Sequence, residues 1–400
     1  MKIKNKIFVL AFICLISIFV LQTSSFASAP LIEAESAIVV EVSTGRIIYE
    51  KSSTKQMYPA STTKIMTAIL VIENCELTDM VTVSESALSN IPQGYVTCGL
   101  VSGEEISVKD LLYALMLPSA NDAAYVLAEH VGGSVEGFAD MMNEKAKELG
   151  CTSTHFVNPN GIHADDHYTT AYDLSLMAKY AMKNEDFRTI VATKEYTLPA
   201  TNKYDSNDRV LKTTNIMLDE SSNYYYKYAV GIKTGHTSMA GDCLVAEASR
   251  DGLDFISVVL NAERFTDTRK LFNYAYDNYT LTKIIEEGSI VETIEIEKAT
   301  RDTKNLDVII DRGITVVNNK SLDMSSVIPE IKYNEDLKAP IEANAVVGTI
   351  KYKVDDIEYS ANLLAKNAVE KQSYALYFIG AGIALLFASI VIHPKKRKRR

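Results

Sequence analysis

The apolar pattern of this 400-residue chain changes character twice, and the order of those changes limits the fold more than any single residue does. Ile38-Val39-Val40 and Ile47-Ile48-Tyr49 are strand-like and flank a Ser43-Thr44-Gly45 turn, so residues 36–50 read as a hairpin. Helical spacing runs from Pro59-Ala60-Ser61 through Ile72, and again over 109–117, 122–131, 138–149 and 173–182. Strand-like runs return over 228–234, 242–248 and 255–261, the last two joined at Asp251-Gly252. Two strands first, helices between and three strands late predict an α+β domain over 30–279. Its antiparallel sheet joins both ends of the segment, and the helices pack as a separate block. Beyond 277 only short strands recur, at 290–296, 308–310, 314–317, 347–354 and 357–359, which predicts a small all-β module over 280–362.

The two ends have a different composition. Residues 1–29 read as a signal peptide: Lys2, Lys4 and Lys6 precede an apolar stretch, and Ala27-Ser28-Ala29 supplies the small residues of a cleavage site. Residues 363–373 are expected to be a linker. Residues 374–392 carry no charge over 19 positions, close to the ~20 residues that cross a hydrocarbon core. The six cations from Lys395 to Arg400 follow, and predict a short cytoplasmic tail over 393–400 that meets anionic head groups. The expectation is a single-pass cell-membrane protein whose bulk lies outside the cytoplasm.

Setting the three leader lysines and six tail cations apart leaves 32 basic against 51 acidic side chains, a balance near −19. Such a surface disfavours a nucleic-acid partner and does not specify a substrate. Of the five cysteines, Cys14 lies in the leader, and Cys75, Cys98, Cys151 and Cys243 show neither a CxxC pair nor zinc-ligand spacing. Export permits their oxidation, and buried unpaired thiols are the equally open alternative.

Three short elements carry the chemistry. Ser61-Thr62-Thr63-Lys64 is an S-x-x-K element at a helix start, where side chains three apart meet on one face. A lysine amine whose pKa is lowered by burial or nearby cations can then take the serine proton. Ser52-Ser53-Thr54-Lys55 matches the same pattern, but sits in a polar stretch with no apolar helix after it. Ser119-Ala120-Asn121 is an S-x-N element between two helices, which helix capping alone would also explain. Lys233-Thr234-Gly235 ends an apolar strand, and a solvated strand end is its plain alternative.

Taken together and in this order, the three elements are the set found in β-lactamases and penicillin-binding proteins. Residues 31–279 resemble the low-molecular-mass penicillin-binding proteins that act as serine-type D-alanyl-D-alanine carboxypeptidases, peptidase S11-like enzymes. The likeness extends to Tyr58-Pro59-Ala60-Ser61-Thr62-Thr63-Lys64-Ile65-Met66, Phe156-Val157-Asn158-Pro159-Asn160-Gly161 and Thr170-Ala171-Tyr172-Asp173-Leu174. The module after 280 resembles the family's accessory domain. The resemblance implies Ser61 as nucleophile, Lys64 as general base and Ser119 as proton relay. It implies that Asn121 contacts the substrate amide and that Lys233 polarises the relay serine. Thr234 and Arg264 would receive the terminal carboxylate, beside Gly235. Backbone N–H groups of Ser61 and His236 would form the oxyanion hole. The His236 side chain is expected to have a local structural or pH-tuning role.

The resemblance implies peptidoglycan stem peptides as substrate, β-lactams as inhibitors and no metal or organic cofactor. Rival readings remain. A class A-like β-lactamase needs an E-x-x-L-N element, absent between Asn121 and Lys233. A transpeptidase uses the same three elements with a different partner domain. A catalytically dead β-lactam or wall-binding protein would keep the fold without the reaction.

Overall fold

The computed structural model describes residues 29–206, 208–373 and 379–385. The expected signal peptide up to residue 28, most of the expected membrane span at 374–392 and the expected cytoplasmic tail lie outside them. Among the described residues no helix is long and apolar enough to cross a membrane. The chain divides into two compact units, 1–280 and 281–400.

In the first unit, strands β1 (Ser36–Glu41), β2 (Ile47–Lys51), β3 (Ala229–Thr237), β4 (Gly241–Arg250) and β5 (Leu253–Leu260) form one sheet in the order β2-β1-β5-β4-β3. All neighbours are antiparallel, so the early hairpin pairs with the last strand and closes the segment on itself. Every residue of β1 is buried. A continuous apolar run is what a strand covered on both faces requires. One cover is the helix Ala171–Ala181 and another is the helix Arg264–Asn278.

The helix α1 (Lys64–Asn74) runs through the core with every residue from Lys64 to Val71 buried. That all-round burial identifies a central helix rather than an amphipathic surface one. Around it pack α2 (Val108–Met116), α3 (Asn121–Gly132) and α4 (Val135–Glu148). Ser107 and Ser134 cap α2 and α4 by accepting a backbone N–H from Asp110 and Gly137. Two helices not expected from the sequence, Glu85–Ser89 and Glu185–Ala192, complete the block.

One local expectation is corrected. Ser61 does not lie on the α-helix; it lies on a 3-10 turn, Ala60–Thr63, that leads into it. Tight packing sets this turn. Gly161, at φ +81°, lies so close beneath it that an added Cβ would fall 1.8 Å from the Ala60 carbonyl oxygen.

The second unit holds a five-stranded antiparallel sheet with outer strands Ile290–Glu295 and Glu330–Tyr333, and a separate two-stranded pairing of Tyr279–Ile285 with Ile314–Asn319. Leu306, Val308 and Ile310 alternate inward on one strand and Ala361, Leu363 and Ala365 on its neighbour, the pattern of a sheet with one face packed. The linker expected from 363 begins later. The strand Ile357–Ala365 runs past that point, and Val369 and Lys371 still form isolated bridges to Ile341 and Ala299.

The floor under the 3-10 turn makes a direct test. Gly161→Ala meets both positive φ and the Ala60 carbonyl, for a loss of about 2–5 kcal/mol. Gly94→Ala, also at positive φ but with open space around it, loses only about 1–2 kcal/mol. Equal losses in equilibrium denaturation would contradict the close-packed floor.

Candidate active site

The 3-10 turn brings Ser61 and Lys64 together as the i, i+3 spacing requires: Lys64 Nζ lies 3.2 Å from Ser61 Oγ. The same amine donates to Asn121 Oδ1 at 2.9 Å and to the Asn160 carbonyl at 2.9 Å. A neutral amine has two hydrogens and one lone pair. With both hydrogens given to those oxygens, the lone pair is left for the serine hydroxyl. Burial, with the Lys233 charge adding to it, pushes the Lys64 amine well below its ordinary range, against a smaller opposing pull from Asp122.

The S-x-N element does not cap its helix. Ala120 occupies the N-cap position and no side chain caps there. Asn121, the first helical residue, sends Oδ1 to Lys64 and Nδ2 to the Val96 carbonyl at 2.9 Å, which fixes its amide orientation. Ser119 sits at φ +69°, a backbone region that costs a non-glycine residue of order 1–3 kcal/mol and that clusters at functional sites. Its buried Oγ has no hydrogen-bond partner among the described residues. No hydrogen bond therefore joins Lys233 to Ser119 among the described residues.

Lys233-Thr234-Gly235 is not a solvated strand end. Lys233 is 1% exposed, and burial, followed by the Arg264 charge, lowers its amine to about 7. Thr234 Oγ1 is 2.5 Å from Thr214 Oγ1, and the Thr214 backbone N–H donates to the Leu117 carbonyl. β3 is thereby tied to the end of α2, one residue before Pro118-Ser119. Gly235 is needed for closeness: a Cβ there would stand 3.0 Å from the Ser61 backbone nitrogen. This brings the edge strand against the turn that carries Ser61. Arg264 Nη1 donates to the Gly235 carbonyl at 3.0 Å and to Asp242 Oδ1 at 2.9 Å. His236 Nδ1 is 2.8 Å from that same Asp242 oxygen.

These residues border a groove of about 360 Å³. Seven of the nine predicted site residues line it, all but the two buried lysines. The decoy is elsewhere. Ser52 accepts at its carbonyl from Ser36 Oγ, and Lys55 is an exposed partner of Glu35. Cys75, Cys98, Cys151 and Cys243 are free thiols.

Several contributors were not assigned from the sequence. Asn160 supplies a backbone carbonyl, which no side-chain pattern reports. Its loop is folded by Asn158, whose Oδ1 accepts from the Gly161 N–H at 2.8 Å. His167 accepts from the Val157 N–H at Nδ1 and so carries its hydrogen on Nε2, 2.9 Å from Thr63 Oγ1. Burial, with His155 adding to it, lowers its imidazole to about 4. The arrangement can hold a nucleophile, an adjacent neutral base and, at one end, a guanidinium for an anionic ligand.

Residues 23–264 match the family described as D-alanyl-D-alanine carboxypeptidase, and residues 279–371 match the penicillin-binding protein 5 C-terminal domain. The chain is 32% identical over 373 residues to D-alanyl-D-alanine carboxypeptidase DacF of Bacillus subtilis (strain 168), covering 90% of this chain and 92% of that one. Among solved structures, penicillin-binding protein 5 from Haemophilus influenzae aligns with a TM-score of 0.66 at 28% identity, over 86% of this chain and 100% of its own. The Streptomyces K15 DD-transpeptidase aligns with a TM-score of 0.59 at 35% identity, over 63% of this chain and 100% of its own.

His167 couples the loop beneath Lys64 to pH. Its folded pKa, about 4, lies below the ordinary 6.5, so the unfolded chain takes up the proton first as pH falls. The stability it lends is present above 6.5 and is lost as pH falls toward 4. Between pH 7 and pH 5 that loss is about 2 kcal/mol. Urea denaturation should show this extra loss in the native protein relative to His167→Gln; parallel pH slopes would contradict it.

Proposed function

The chain belongs to the D-alanyl-D-alanine carboxypeptidase family, and on that premise we propose that it removes the terminal D-alanine from peptidoglycan stem peptides through an acyl-enzyme on Ser61. The observation that carries this reading is the Lys64 amine, buried, depressed in pKa and 3.2 Å from Ser61 Oγ, with its two hydrogens held by Asn121 and Asn160.

Ser61 Oγ attacks the carbonyl between the two D-alanines as Lys64 takes its proton. The oxyanion that forms is stabilised by the backbone N–H groups of Ser61 and His236, donors that can contribute several kcal/mol when aimed at developing charge. Ser119 relays the proton to the departing amine, so D-alanine leaves neutral at its nitrogen and the acyl group stays on Ser61. Water then attacks the ester, Lys64 again serving as base. Lys233 adds positive potential. Thr234 and Arg264 hold the terminal carboxylate, for which a guanidinium offers matching fork geometry. A β-lactam enters the same path because its strained amide and adjacent carboxylate imitate the dipeptide end. On hydropathy alone, the reading also takes 1–29 as a cleaved leader and 374–392 as the anchor holding the enzyme at the outer face of the cell membrane.

The test combines one peptide and one label. The native protein, given a pentapeptide ending in D-Ala-D-Ala, should release one alanine by mass analysis and form a long-lived adduct with labelled penicillin. Ser61→Ala should abolish both, and Ser52→Ala should leave both nearly unchanged. Rapid penicillin turnover without alanine release would favour a β-lactamase. Transfer of the acyl group to an added amine in preference to water would favour a transpeptidase. An absence of adduct would favour a binding protein.

A further inference from the structure

One carboxylate, bonded to two residues that line the groove, has no place in the three sequence elements. Asp242 stands directly opposite His236 in the hairpin of β3 and β4. A single oxygen, Oδ1, accepts from His236 Nδ1 at 2.8 Å and from Arg264 Nη1 at 2.9 Å. The imidazole must therefore carry its hydrogen on Nδ1. Arg264 Nη1 gives its second hydrogen to the Gly235 carbonyl, and the guanidinium lies 5.0 Å from the centre of the Phe265 ring. Both Nη1 hydrogens are thus used. Nη2 and Nε have no partner among the described residues, and together they are the edge that pairs with a carboxylate through two parallel bonds. Two cations, Arg264 and Lys233, sit at this end of the site, and Asp242 is the one carboxylate ion-paired with either among the described residues.

We propose that Asp242 is a positioning residue: by holding Arg264 Nη1, it turns the free Nη2–Nε edge toward the ligand and so sets discrimination in favour of peptides that end in a free carboxylate. This rests on the reading that Arg264 receives that carboxylate. Because both bonds converge on Oδ1, an asparagine keeps them and an alanine loses them. Asp242 is partly exposed, so neither replacement opens a core cavity.

The experiment sets native enzyme, Asp242→Ala, Asp242→Asn and Arg264→Ala against two pentapeptides, one ending in free D-alanine and one in its amide. The interaction is equally present in bound substrate and transition state, so its loss shows in KM. Asp242→Ala should raise KM for the free-carboxylate peptide about tenfold with kcat within about twofold, and should barely change the amidated peptide. Asp242→Asn should remain within about threefold of the native KM. An equal effect of Asp242→Ala on both peptides, or an asparagine variant as impaired as the alanine one, overturns the proposal. If Arg264→Ala loses discrimination and Asp242→Ala does not, Asp242 alone is wrongly assigned. If Arg264→Ala keeps discrimination, the carboxylate reading fails and the Asp242 assignment fails with it.

Discussion

A lysine amine without access to water is the constraint on which the first unit depends. A buried ammonium is costly unless it is paired, and a lysine so placed gives up its proton more readily. Lys64 is fully buried with no carboxylate in hydrogen-bonding contact; its partners are a hydroxyl, an amide oxygen and a peptide carbonyl. Each partner comes from a different part of the chain. The hydroxyl needs the 3-10 turn. The amide needs Ala120, rather than Asn121, at the cap position. The carbonyl needs the Asn158–Gly161 loop pressed against Ala60, which only glycine permits. His167 and Thr63 then lock that loop to the turn.

The edge strand adds the second requirement. Its glycine lets β3 approach the Ser61 nitrogen, and its lysine places a second buried amine near the first. Burial lowers both amines; the Lys233 charge adds to that effect on Lys64, and the Arg264 charge adds to it on Lys233. Asp242 moderates the far end of this row of cations. The groove thus has an amine of depressed basicity at Ser61 and a guanidinium at its other end.

Much of this was legible where the interaction is local or periodic. The Ser61–Lys64 pairing follows from three-residue spacing, and it survives the change from α-helix to 3-10 turn because both geometries bring such neighbours together. The α+β architecture followed from where the strands fall in the chain. What stayed hidden depends on contacts between distant residues. Asn160 acts through its backbone, and His167 looked like one histidine among six. Ser119 and Asn121 are both residue types that cap helices, and only the three-dimensional arrangement gives the cap position to Ala120. Asp242 was within reach, since the hairpin places it across from His236, but its ion pair with Arg264 depends on how the last helix begins. The expected linker starts too early, since the apolar alternation of the strand Ile357–Ala365 continues through Ala361, Leu363 and Ala365.

Catalysis by this site requires Lys64 to be neutral when it meets Ser61. Its titration can be followed directly by the nitrogen chemical shift of lysine side chains labelled with nitrogen-15, using Lys64→Met to assign the signal. Lys64 should already be neutral where exposed lysines remain ammonium ions, and the acylation rate with a β-lactam should rise along the same curve. A Lys64 signal that titrates together with the exposed lysines near ~10.4 would contradict it.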